Sequence, residues 1–93
     1  MAETLLFNRQ DDDAALAALE KALSSVYPNE DISGLIAKLR RRPLVRWIVL
    51  RSVRQEASAE GLVSAQGQID WEAIGDFLVK IAPIIFEILK MFL

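Results

Sequence analysis

The chain has no histidine and no cysteine among its 93 residues. Lack of histidine removes the commonest general base and metal ligand. Lack of cysteine removes thiol nucleophiles, thiolate ligands and any disulfide framework. No glycine-rich phosphate loop, nucleophile elbow or zinc-ligand spacing occurs. The first ten residues, MAETLLFNRQ, carry an acid where a secretory leader would be basic, and they have no apolar stretch behind it. No Asn-x-Ser/Thr acceptor is present. These absences predict a protein that is not an enzyme. It has no cofactor and no metal, and it resides in a cytoplasm or within a particle assembled there.

What is present is apolar. Residues of the Ala-Val-Ile-Leu-Met-Phe-Trp-Tyr-Cys class make up 53% of the chain, against about 45–50% in soluble domains even when Gly is counted. A chain of this size forms one small domain at most, with a single small core to cover its apolar side chains. Some of them are therefore expected at an interface or a membrane.

The net charge is −2, unevenly spread. Residues 32–55 carry Lys38, Arg40, Arg41, Arg42, Arg46, Arg51 and Arg54 and no acid, whereas acids dominate on either side. This block is predicted to be a contact surface that pairs with acidic faces and fixes the orientation of a partner. Trp47 is its sole aromatic, so the interleaved stacking platform of a single-strand binder is missing. The overall acidity also argues against nucleic acid as a partner.

Hydrophobic periodicity predicts an all-α fold, a small bundle of about four helices. Residues 1–10 are expected to form an irregular arm, from which Leu5, Leu6 and Phe7 could dock on a core or a neighbouring chain. Residues 11–68 are expected to form a helical region with the basic segment in its middle. Within it, Asp11-Asp12-Asp13 precede a first helix over about 12–26 with Leu16, Leu19, Leu23, Val26 and Tyr27 on one stripe. The three aspartates suit a helix N-terminus. They lack the spacing and the glycine of a calcium loop. A second helix starts near Asp31 or Ser33 and breaks before Pro43. Pro43 then opens a third helix, where its missing N–H costs nothing, and Gly61 closes it. A strand over Val45, Trp47 and Val49 is the competing pattern, but no partner strand is evident. Glu56 and Glu60, spaced i, i+4, are read as solvated helix surface rather than as an acid–base pair. Residues 62–68 read as a loop, and Asp70 as the cap of the last helix.

The last segment, Trp71–Leu93, is the most lopsided. Its charges, Glu72, Asp76, Lys80, Glu87 and Lys90, fall within about an 80° arc at 100° per residue. Such a helix must bury most of its circumference. Pro83 lies on the polar stripe, where a bend would wrap the apolar face around a partner. Residues 69–93 are therefore expected to be a long, bent, amphipathic association helix, with Trp71, Phe77, Leu78, Ile81, Ile85, Ile88, Leu89 and Phe92 at the interface. The longest uncharged run is Ile81–Phe86, and each charge at a bilayer centre costs about 2.5–3.5 kcal/mol. A protein partner is accordingly favoured over lipid. The sequence thus points to a structural or assembly protein, packing into a homo-oligomer or a larger complex such as a shell or virion. The alternative is a membrane-associated protein whose last helix enters or lies on lipid.

Overall fold

Four helices organise residues 9–93, the part of the chain described by the computed structural model. They are α1 (Arg9–Val26), α2 (Ile32–Arg40), α3 (Pro43–Ala59) and α4 (Gly75–Phe92). Leu5, Leu6 and Phe7, expected to dock, lie outside the described residues. The expected arm over 1–10 is shorter than drawn, because Arg9 and Gln10 already belong to α1. The aspartates at 11–13 therefore sit within the opening turns of α1 rather than ahead of it. There the negative charge of Asp12 and Asp13 is favourable beside the positive end of the helix dipole.

Local chemistry sets each boundary. α1 ends where Tyr27-Pro28-Asn29 turns the chain, with the Glu30 N–H donating to the Tyr27 carbonyl at 3.1 Å. Asp31 caps α2 by accepting from the Gly34 N–H at 3.0 Å. Arg42 stands before a proline and is excluded from helical geometry. It adopts φ −122°, ψ 86°, and Pro43 opens α3 directly behind it. At the other end of α3, Gly61 has φ +72°, with its N–H on the Ser58 carbonyl at 3.1 Å and the Leu62 N–H on the Ala57 carbonyl at 2.9 Å. This is the paired Schellman closure that favours glycine at its left-handed residue.

Between α3 and α4 the chain makes a minimal hairpin. Val63 and Ile69 form an isolated antiparallel bridge, and Gly67, at φ +78°, turns the tip. Asp70 does cap a turn, its carboxylate accepting from the Ala73 N–H at 3.3 Å. That turn is separate from the helix, however. α4 starts only at Gly75, and its N-cap, Ile74, offers no side-chain acceptor. Trp71 and Ile74 are buried all the same, at i−7 and i−4 from Leu78, so the turn already lies on the side that α4 presents to the core.

Each helix packs mainly on two others, in the circuit α1–α2–α3–α4 and back to α1, and the broadest of these contacts joins α1 to α4. The core so enclosed holds Leu16, Leu19 and Leu23 from α1, Ile32, Ile36 and Leu39 from α2, and Val49 and Val53 from α3. Leu78, Ile85 and Leu89 fill it from α4. Full burial of each such side chain contributes roughly 1.5–3 kcal/mol. Among the described residues no polar or charged side chain is buried, so the core carries no desolvation penalty to offset. The radius of gyration, 12.5 Å, is that of a single compact body, for which about 12–13 Å is expected at this length.

Candidate functional site

α4 has two apolar faces. The inner face holds Leu78, Ile81, Ala82, Ile85, Phe86 and Leu89, all buried against the other helices. Of the residues predicted for an interface, Trp71, Leu78, Ile81, Ile85 and Leu89 are thus already covered by the chain's own core. Phe77 and Ile88 are half-buried at its edge, and Phe92 is 42% exposed. The wide apolar arc arose because α4 is the helix on which the core is built.

The second face is not covered by the described residues. Ile84 is 51% exposed and Met91 75% exposed. Phe77, Ile84 and Met91 recur at seven-residue intervals, with Ile88 alongside, so the four form a ridge down the flank of α4. Such a repeat keeps side chains in register along a helix pair. Lys80 and Glu87 edge this ridge on one side. Lys80 Nζ lies 3.5 Å from a Glu60 carboxylate oxygen, with both side chains largely exposed. Pro83 is also exposed, and α4 runs unbroken through it. Its missing hydrogen bond therefore falls on the solvent side, where bending costs no packing.

The basic block does not form one surface. Arg40 donates to Asp13 Oδ1 at 2.8 Å. Arg46 reaches across to Asp12, with Nε 3.8 Å from Oδ2, and donates to the Arg40 carbonyl at 3.1 Å. These pairs tie the start of α1 to the α2–α3 corner. Burial raises the Asp12 carboxyl above its ordinary value, and neighbouring Asp13 adds to this, while Arg46 opposes it. Lys38, Arg41 and Arg42 are exposed. Arg51 lies over the Trp47 ring at 5.2 Å and Arg54 over the Trp71 ring at 5.7 Å. Partial desolvation lowers the Arg54 guanidinium from its ordinary value.

A cleft opens along this last stretch. Its wall is the outer face of α3, its far side is the 63–67 hairpin, and Asp12 closes one end; the volume is about 450 Å³. Trp47, the sole aromatic of the basic block in sequence, lines this cleft, which was not expected from the sequence. The signal was available in the spacing, since Arg46, Trp47, Leu50, Arg51 and Arg54 share one side of a helix within about 140°. Only the hairpin, which periodicity does not reveal, turns that side into a concave site.

Among the described residues no helix is long and apolar enough to cross a membrane. No group of acidic side chains there is arranged to hold a metal ion. No protein-family model, curated protein or solved structure matches the chain.

Proposed function

We propose that this protein is a non-enzymatic assembly component that joins a second copy of itself through the outer ridge of α4. The observation that carries the reading is the exposure of Ile84 and Met91 in line with Phe77 on one helix flank. Scattered exposed apolar residues need no explanation, whereas a contiguous ridge marks an association surface.

The ridge is symmetric about Ile84. An antiparallel, two-fold pairing of α4 with its copy sets Ile84 against itself and Phe77 against Met91. It also brings Lys80 of one copy beside Glu87 of the other, because both lie on the same flank. A two-fold interface is self-complementary by construction, and this one matches apolar with apolar and positive with negative. The exposed pair between Lys80 and Glu60 offers little resistance to such an exchange, since surface ion pairs contribute about 0–1 kcal/mol. Larger particles follow if a second surface, such as exposed Leu44 at the start of α3, is engaged as well.

Sedimentation equilibrium across protein concentration tests the reading. The wild-type chain should associate, and Ile84→Lys, which sets two cations together on the two-fold axis, should leave monomers with unchanged helicity. A wild-type chain that stays monomeric at several hundred micromolar would remove the proposal, as would an Ile84→Lys variant that associates normally.

A further inference from the structure

We propose that the cleft between α3 and the 63–67 hairpin binds a small amphipathic organic anion, an oxyanion on an apolar or aromatic body. Three features of the described lining support this. First, Arg46, Arg51 and Arg54 are gathered there against a single carboxylate, Asp12, although the chain as a whole is acidic. Guanidinium groups present planar forks of donors that match carboxylate and phosphate oxygens. Second, the surface between these arginines is apolar, supplied by Trp47, Leu50 and Val63. A purely inorganic anion would leave that surface facing water. Third, the volume of about 450 Å³ lies within the roughly 300–1,000 Å³ typical of small-molecule sites.

The three arginines are not equivalent. Arg46 is held by Asp12 and by the Arg40 carbonyl, and Arg54 rests on Trp71. Arg51 is exposed, with its guanidinium above the Trp47 ring. A ligand's apolar body would lie along Trp47 and Leu50, and its oxyanion would meet Arg51 at the rim. Asp12 sets the polarity of the site by disfavouring a second negative charge at the closed end, so a monoanion fits better than a polyanion. This assignment is independent of the α4 ridge, which lies on a different helix.

The test titrates octanoate and 1-naphthoate, and their neutral counterparts octanol and 1-naphthalenemethanol, into the full chain while nuclear magnetic resonance follows the Trp47 indole N–H and the Leu50 and Val63 methyls. The acids should give saturable shifts confined to these resonances, and each alcohol should bind at least tenfold more weakly. Arg51→Gln should weaken acid binding by about tenfold with the rest of the spectrum unchanged, whereas Arg41→Gln, away from the cleft, should not alter it. Equal binding of acid and alcohol would reduce the site to an apolar groove and overturn the proposal. Acid shifts that spread over Lys38, Arg41 and Arg42 and persist in Arg51→Gln would overturn it in favour of diffuse charge attraction. Tighter binding of a single-stranded thymidine dodecamer than of either acid would replace it with a nucleic-acid interface.

Discussion

The ring of Tyr27, one residue beyond the end of α1, stacks on that of Phe86 in the second half of α4, with centroids 4.2 Å apart and planes 21° from parallel. The Lys90 ammonium lies 5.0 Å from the centre of the same Phe86 ring. The broadest helix–helix contact in the fold is therefore pinned at this end by an aromatic pair that also carries a cation. Phe86→Ala should cost about 3–5 kcal/mol of unfolding free energy, the range for emptying a core aromatic site. Tyr27→Leu keeps most of the apolar volume and should cost nearer 1 kcal/mol, the part attributable to ring stacking. Urea unfolding of the two variants measures both values, and a Tyr27→Leu variant as stable as wild type would show that the stacking itself contributes nothing distinct.

Gly34 is explained by Asp31. A Cβ added at Gly34 would collide with Asp31 Oδ2, and the three nearest atoms to it all belong to the Asp31 carboxyl group. Helix propensity alone predicts that Gly34→Ala stabilises α2 by about 0.8–1 kcal/mol. The cap that would be displaced is worth about 0.5–2 kcal/mol, so the two effects should cancel and leave the single variant near wild type. In an Asp31→Ala background no cap remains to lose, and Gly34→Ala should then stabilise by close to the full propensity difference. A double-mutant cycle by thermal or urea unfolding reads the coupling directly. Strict additivity would disprove the link between the two residues.

Much of the architecture was legible because short-range rules decide it. Pro43 and the restricted Arg42 placed the start of α3, Gly61 placed its end, and the leucine spacing of α1 named its buried stripe. The start of α4 was misread because Asp70 satisfies a local capping pattern. The cap is formed, but it closes a turn over residues 71–74, and the helix itself starts only at Gly75. The interface assignment ran into a different limit. Periodicity reports how much of a helix must be covered, and it is silent on whether the cover is the same chain or another. Here α1 and α3 cover the Leu78–Leu89 face, and among the described residues the narrower Phe77–Ile84–Met91 ridge is left without a cover. The basic block was legible as charge, but its division into Arg40 and Arg46 pairing with α1 and Arg51 and Arg54 resting on tryptophans required the third dimension.

Asp12 gives the fold a pH dependence of defined sign. Its carboxyl is raised above the ordinary value of 3.8, chiefly by burial, so the folded chain holds this proton more tightly than the unfolded chain does. By linkage, the contribution of Asp12 to stability is greatest below pH 3.8 and falls as pH rises from there through its folded-state value. Carbon-detected titration of the Asp12 carboxyl should give a midpoint above 3.8. Asp12→Asn cannot ionise and should gain stability relative to wild type between acidic and neutral pH. A midpoint at or below 3.8 would mean that the Arg46 attraction outweighs burial, and the variant should then lose stability at neutral pH.

The two-fold arrangement of α4 makes a charge prediction that an unspecific apolar contact does not. If Lys80 of one copy meets Glu87 of the other, Lys80→Glu sets acid against acid at two symmetric points of the interface, and Glu87→Lys sets base against base. Each single variant should weaken self-association, by about 1 kcal/mol or roughly fivefold when both symmetric contacts of a surface type are reversed. The double variant restores opposite charges in swapped positions and should recover most of the wild-type affinity. Loss of the Lys80–Glu60 contact within the chain is common to Lys80→Glu and the double variant, so recovery in the double cannot come from that pair. Sedimentation equilibrium at low and high salt completes the test, because exposed pairs are screened within about 8–10 Å at physiological ionic strength. The differences among the four proteins should shrink as salt rises. Additive losses in the double variant would place Lys80 and Glu87 apart in the assembled form, and the antiparallel register centred on Ile84 would then be wrong even if the ridge itself associates.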